Sequence, residues 1–187
     1  MDFQLQRLQN VISDLASGLT PEDLARRREG KWCAAEIMEH LYLSYTGTVK
    51  AFERCLSAGK PVASRPTLKQ RVAAAIVVGL GCMPAGRKAP KSTLPRGMGW
   101  DKVLAEIGQQ IAAMDDVIRR CESRYGQHAH LVDHPVLGPL TGRQWRKFHW
   151  VHGRHHVKQI LHLTAKPEIE TRRAGAGAVS GAPSRPD

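Results

Sequence analysis

Apolar residues recur every three or four positions through most of this chain, and this helical period is the feature that most restricts its fold. Such stripes predict amphipathic helices that bury one face against each other. The most regular stripe comprises Trp100, Val103, Leu104, Ile107, Ile111, Met114, Ile118 and Cys121. A shorter one, of Leu5, Leu8, Ile12, Leu15 and Leu19, opens the chain. We find no segment with the two-residue period of a strand, so the sequence predicts an all-α protein.

Helix-start signals divide the chain into four long helices and shorter ones. The second long helix is expected over Trp32–Leu56, and Thr141 can cap a fourth that runs to about Thr164. Thr20 followed by Pro21 predicts a short extra helix, and Thr67 can cap another that ends near Leu80. Long loops are expected over residues 58–66, 82–99 and 122–140, the second of them mobile. Four long amphipathic helices joined by loops predict a helical bundle.

The length of 187 residues fits one domain of ordinary size with a tail. Pro167 ends the last helical pattern, and the residues after it are small and polar. We therefore assign residues 1–165 to one helical domain and residues 166–187 to a disordered tail.

The net charge of +11 is concentrated in the middle of the chain, where residues 51–100 contain nine Lys or Arg and one Glu. A basic field of this kind attracts nucleic acid, an anionic membrane or an acidic small molecule. Aromatic residues are not interleaved with these cations, so a stacking platform for single strands is not supported. Nucleic acid is therefore the weaker candidate partner.

The four cysteines are scattered, without a CxxC pair, at Cys33, Cys55, Cys82 and Cys121. The N-terminal residues lack the apolar core of a signal peptide, and no apolar run approaches the roughly 20 residues that span a bilayer. We expect reduced thiols in a cytoplasmic protein.

Residues 147–160, KFHWVHGRHHVKQI, hold four of the nine histidines. At about 100° per residue, His152 and His156 fall within about 40° of Trp145 and Leu163, on the apolar face of the fourth helix. Positions i and i+4 lie one above the other, so two imidazoles there can converge on one metal ion. A third ligand has to come from another element.

His40 is the best candidate for that ligand, because it lies at the edge of the apolar face of the second helix. Its plainer interpretation is a core histidine. His149 and Gln159 are expected beside the ligands, and His149 leans inward far enough to orient one of them through a hydrogen bond. His155 is expected at the rim. Loop or surface positions are expected for His128, His130, His134 and His162.

Three motifs in this order resemble the DinB-like superfamily of metal-dependent enzymes, and most closely a branch known mainly as a domain of unknown function. They are W-x₇-H-L from Trp32, the loop HPVLGPLT, and H-x₂-H-x₂-HH-x₂-Q, and the resemblance covers residues 1–165. It implies an up-down four-helix bundle with a metal held by His40, His152 and His156. Some members are thiol-dependent S-transferases that use low-molecular-weight thiols, and others are regarded as hydrolases. The basic segment of residues 60–99 departs from familiar members, so no substrate is carried over.

Three imidazoles leave a divalent metal with open positions, which suits both hydrolysis and thiol transfer of a small molecule. Zinc is the first choice and nickel or another divalent ion the second, because three histidines discriminate poorly. Glu36 is the carboxylate that we single out as a catalytic candidate, and Cys33 can line the pocket or pack in the helix.

Two other hypotheses stay open. The chain can be a non-catalytic, stress-related binding protein whose basic segment, residues 51–100, contacts an anionic partner. Alternatively, the histidines hold a structural metal that Glu36 or His149 closes as the fourth ligand. Pairing of apolar faces would make the protein a homodimer.

Overall fold

The computed structural model describes residues 1–84, 86 and 88–165, and this part of the chain is largely helical. The α-helices are α1 (Phe3–Ser17), α2 (Pro21–Ala25), α3 (Ala34–Ser57), α4 (Leu68–Ala74), α5 (Trp100–Tyr125) and α6 (Gly142–Thr164). A π-helical turn, Ala75–Gly79, continues α4, and a 3-10 turn spans Lys91–Thr93. The predicted helical class is confirmed, whereas the expected tail lies outside the described residues. No described helix has the length and hydropathy needed to cross a membrane.

Three threonines begin helices as the sequence predicts. The hydroxyl oxygens of Thr20, Thr67 and Thr141 each accept a hydrogen bond from the backbone N–H three residues on. In each case the side chain of that later residue accepts from the threonine N–H in return, which makes a capping box. These caps fix where α2, α4 and α6 start.

The predicted apolar stripes meet in one core. Helix α3 packs against α5 and α6, and α1 packs against α6 and α5. The side chains of Leu5, Leu8 and Ile111 are fully buried there. At Gly153 on α6, a Cβ atom would collide with the Leu8 side chain, so the glycine allows α1 and α6 to approach closely.

The chain between α5 and α6 corrects the expectation of a loop over residues 122–140. Helix α5 continues to Tyr125, and strands β1 (His130–His134) and β2 (Gly138–Thr141) then form an antiparallel hairpin. The two-residue period is missing because Leu131 and Val132 are both buried, and the register shifts between His130 and Val132. In strands this short and irregular, apolar and polar residues do not alternate along the sequence.

Arg146 and Asp115 are charged residues that lie inside the core. Both are buried, and Arg146 Nε lies 2.7 Å from Asp115 Oδ1. Arg146 Nη1 lies 2.8 Å from Glu122 Oε1, and the backbone N–H of Asp2 donates to Asp115 Oδ2 at 2.9 Å. A helical projection treats each helix separately, so it cannot show that charged residues of two helices neutralise each other.

Part of the segment expected to be a mobile loop is anchored to α3. The buried carboxylate of Glu39 accepts hydrogen bonds from the backbone N–H groups of Arg96, Gly97 and Met98 at 2.7, 3.1 and 3.1 Å. These bonds satisfy a buried charge with three main-chain donors. The chain just after the 3-10 turn is therefore fastened beside residue 40.

Candidate metal centre

Three histidines from two helices meet at one point. His40 comes from α3, and His152 and His156 come from successive turns of α6. The Nε2 atom of His152 lies 3.2 Å from that of His40 and 3.0 Å from that of His156. The nitrogen atoms that the three can offer to a metal all lie within 4.8 Å of one another. The structure thus brings together the three residues proposed from the sequence.

The spacing and the donor set fit a divalent metal. With metal–nitrogen bonds of about 2.0–2.1 Å, neighbouring ligands of a tetrahedral ion lie about 3.3 Å apart, close to the observed separations. Neutral imidazole is a common ligand of zinc, nickel and similar ions.

The hydrogen bonds of two of these rings set their tautomers. His40 Nδ1 donates to the carbonyl oxygen of Thr93 at 2.8 Å, since that oxygen can only accept. His156 Nδ1 donates to Gln159 Oε1 at 2.7 Å. In both rings the Nε2 atom then carries the free lone pair, as a metal ligand must. In the described part of the chain, the buried Nδ1 of His152 has no hydrogen-bond partner.

Burial keeps all three rings neutral. It lowers the pKa of His156 to about 3 and that of His152 well below the ordinary histidine value, and neighbouring histidines add to both effects. Burial also lowers the pKa of His40, against an opposing effect of the Thr93 carbonyl. At neutral pH the three lone pairs are therefore available without competition from protons.

Aromatic rings restrict how these imidazoles can turn. Phe148 stacks on His152 with ring centroids 5.3 Å apart, and the Trp32 centroid lies 5.2 Å from that of His40. The Gln159 amide is oriented as well, because its Nε2 lies 3.0 Å from a nitrogen of His155 while its Oε1 faces His156. Gln159 thus lies beside a ligand, as expected.

The structure corrects the expectation for His149. Its side chain is buried, but its Nε2 donates to the Thr48 hydroxyl at 3.0 Å, since that hydroxyl itself donates to the carbonyl oxygen of Ser44. Burial lowers the pKa of His149 to about 3. His149 therefore braces α6 against α3 and does not orient a ligand through a hydrogen bond.

Glu36 and Cys33 lie at the start of α3, and neither belongs to the described cluster with metal-binding spacing. Glu36 Oε2 accepts from the backbone N–H of Cys33 at 2.7 Å and lies 3.4 Å from Arg27 Nη2. The Cys33 side chain is buried at the helix cap. Neither residue is among the described residues that line the cavity beside the cluster.

His134 was expected on a loop or the surface, yet it lies on β1 with its ring centroid 4.4 Å from that of Phe148. Its Nδ1 accepts from the backbone N–H groups of Val136 and Leu137, both at 3.1 Å. Burial lowers its pKa to about 4. These two hydrogen bonds hold the His134 ring at the turn between β1 and β2.

The three histidines lie on the wall of an open cavity of about 1570 Å³. Much of its remaining wall is apolar, including Trp32, Ile37, Val77, Phe148 and Leu163. A small molecule that enters this cavity from solvent would therefore lie beside the three imidazole rings. The arrangement is that of a ligand site with a few polar groups in an apolar cleft.

Fold and site together define a largely helical protein with a three-histidine cluster on the wall of a cavity. The chain belongs to the family DUF1569, described as "Protein of unknown function", whose model matches residues 1–162. Neither the curated proteins nor the solved structures contain a match to this chain.

Proposed function

We propose that this protein is a metal-dependent enzyme that acts on a small molecule, as a thiol-dependent S-transferase or as a hydrolase. His40, His152 and His156 hold the divalent metal. The observation that carries the proposal is the convergence of three Nε2 atoms, two of them on rings whose Nδ1 atoms donate to oxygen acceptors.

We also propose an up-down four-helix bundle of the DinB-like type, formed by α1, α3, α5 and α6. The packing of α3 on α5 and of α1 on α6 supports this arrangement. So does the origin of the ligands, one from the second long helix and two from the fourth. The proposal rests on analogy at the level of fold, and the chemistry rests on the site.

The side chains around the proposed metal have separate tasks. Gln159 and the Thr93 carbonyl hold two imidazole rings in the tautomer that a metal binds. The apolar wall can pack against an apolar part of a substrate. A divalent ion held by three imidazoles supplies Lewis acidity, which favours the deprotonated form of water or of a thiol. Zinc is the first choice and nickel the second.

A catalytic metal is favoured over a structural one by the ligand count. A closed site requires a fourth protein ligand, and Glu36 and His149 are the candidates for it. Both side chains are engaged elsewhere, Glu36 at the α3 cap and His149 with Thr48. Among the described residues, the cluster with metal-binding spacing contains three members. The remaining coordination positions are then free for a substrate or a thiol.

Elemental analysis of the purified protein tests the proposal. We expect about one divalent metal ion per chain in the wild type, and its loss from His152→Ala and His156→Ala without loss of helical circular dichroism. His128→Ala is the matched control, because that histidine is exposed and outside the cluster. Metal that persists in the double variant His152→Ala/His156→Ala would reject the site.

Cobalt substitution separates the two reaction classes. If the protein uses a thiol, adding glutathione or cysteine to the Co²⁺-loaded protein produces a thiolate-to-cobalt charge-transfer band. Turnover of ester substrates without any thiol, together with no such band, assigns the protein to the hydrolases instead.

A further inference from the structure

We infer that the cavity binds a small anion with an apolar portion, such as an alkyl phosphate or alkyl carboxylate. This inference rests on the proposed function in one respect, namely that the cavity beside the three histidines receives the substrate.

The charge of the cavity lining is strongly one-sided. Six cationic side chains line it: Arg28, Lys31, Arg54, Lys69, Lys88 and Lys91. Among the described lining residues there is one carboxylate, Asp133, and both of its oxygens accept from the backbone N–H of Ser64, at 3.1 and 3.2 Å. The lining therefore attracts negative charge far more than it repels it.

These cations are not neutralised by the protein. In the part of the chain that the structure describes, none of the six forms an ion pair with a carboxylate, whereas Arg119, Arg120 and Arg146 outside the cavity all do. All six residues are exposed, so solvent reaches their charged groups. A cleft with low-dielectric walls focuses the field of such charges and raises the local concentration of an anion.

The cations also approach the cavity from several directions. Arg28 and Lys31 precede α3, Arg54 lies near its C-terminal end, and Lys69 lies on α4. Lys88 and Lys91 come from the segment that carries the Thr93 carbonyl. Because separate elements of the fold contribute, the positive charge of the lining does not come from a single stretch of basic sequence.

The inner wall has the opposite character. Ile37, Val77, Phe148 and Leu163 line the cavity, and the first three are buried. An anion that is entirely polar would leave this wall in contact with water only. A molecule with an anionic group at the rim and an apolar portion near the histidines satisfies both parts of the lining.

Calorimetry with three octyl compounds tests this inference in the absence of metal. The protein is His152→Ala or, as a second preparation that keeps every side chain, the chelator-treated wild type. We expect octyl phosphate to bind, with octanol and octyltrimethylammonium at least about tenfold weaker, and added salt to weaken octyl phosphate alone.

Two matched charge variants locate the interaction. Lys31→Gln/Lys69→Gln removes two lining charges, and we expect about tenfold weaker octyl phosphate binding. Lys50→Gln/Lys102→Gln removes two exposed charges outside the cavity, and we expect less than twofold change. Equal losses in both variants, or equal affinity for the three octyl compounds, would overturn the inference.

The outcome is distinguishable from failure of the metal site. Octyl phosphate binding by a protein that never retains metal supports the anion inference and rejects the proposed function. About one metal ion per chain without octyl phosphate binding supports the proposed metal site and rejects the anion inference. Tighter binding of a DNA oligonucleotide than of octyl phosphate, lost in Lys31→Gln/Lys69→Gln, would overturn the small-molecule inference in favour of nucleic acid.

Discussion

At the scale of single residues, the site depends on what lies behind each imidazole. The Nδ1 atoms of His40 and His156 donate to a main-chain carbonyl and to the Gln159 amide, and these bonds hold the Nε2 atoms at the cavity. Such outer hydrogen bonds fix ring orientation and raise ligand basicity. The ligand count alone therefore does not determine metal affinity.

Replacement of Gln159 by Leu tests this dependence. We expect about tenfold weaker metal binding with unchanged helix content, because His156 loses its acceptor while all three ligands remain. Titration against a competing chelator measures the change. Lys158→Leu is the neighbouring control, because Lys158 is exposed and does not line the cavity, and it should bind metal nearly as the wild type does. Equal losses in the two variants would contradict the role of the Gln159 oxygen.

The half-buried His134 predicts a pH dependence of stability. Burial lowers its pKa to about 4, while in the unfolded chain it is about 6.5. Between these values the unfolded chain binds a proton that the folded chain does not, so the free energy of unfolding decreases as the pH falls from 6.5 towards 4. One such group contributes at most about 1.4 kcal/mol per pH unit.

His134→Asn isolates this contribution, since an amide oxygen can still accept from Val136 and Leu137 but does not titrate. We expect a shallower loss of stability below pH 6.5 in urea unfolding, and an unchanged profile for His128→Asn. A profile for His134→Asn that matches the wild type would show that other groups cause the acid sensitivity.

Helical spacing was sufficient to find the proposed ligands, because the pair at i and i+4 and the inward position of His40 follow from the apolar stripes. The role of the Thr93 carbonyl as the acceptor for His40 could not be predicted, since every residue carries a main-chain carbonyl. His149 was predicted on the correct face, but its hydrogen-bond partner depends on the rotation of α6 against α3, which sequence periodicity does not fix.

At the scale of elements, the segment after the 3-10 turn serves as a support for the site. Glu39 binds the backbone N–H groups of residues 96–98, and the neighbouring His40 donates to Thr93 in the same segment. Two adjacent residues of α3 thus hold both ends of a short stretch. Its conformation and the orientation of the His40 ring are linked.

Glu39→Ala tests that link. We expect faster amide hydrogen exchange at Arg96, Gly97 and Met98, because their acceptor is lost, and weaker metal binding, because Thr93 is no longer held in place. Glu36→Ala is the control on the same helix. It removes the hydrogen bond from the Cys33 N–H at the start of α3 and should leave metal binding unchanged. Faster exchange in Glu39→Ala with full metal affinity would separate the segment from the site.

The elements themselves were predictable to different degrees. Long helices repeat their apolar signal over many turns, and the threonine caps mark their starts. The hairpin of residues 130–141 was not predicted, because its strands are only five and four residues long and bury adjacent side chains. Such segments depend on packing against α6, where Trp145 Nε1 donates to the Val132 carbonyl.

At the scale of the whole molecule, a buried ion cluster joins parts of the chain that are distant in sequence. Arg146 of α6 contacts Asp115 and Glu122 of α5, and Asp115 also accepts from the backbone at the start of α1. A charge projection of single helices could not predict this cluster, because its members neutralise each other only after the helices have packed.

Arg146→Met should destabilise the fold by about 3–5 kcal/mol, since the buried Asp115 and the partly buried Glu122 lose their cation. Arg119→Met is the matched control, because Arg119 pairs with Asp116 at the surface, and we expect a change below about 1 kcal/mol. Urea unfolding of both variants measures the difference. Equal, small effects would mean that the cluster relaxes or hydrates readily.

The acceptor for His40 is supplied by the main chain at position 93 and not by a side chain. Any amino acid at position 93 can provide this carbonyl oxygen, but a residue inserted or deleted between Pro90 and Arg96 would displace the carbonyl from His40. Among homologues, we therefore expect free substitution at this position together with a fixed segment length. An engineer who wishes to retune the site should change the number of residues in this stretch before changing their identity.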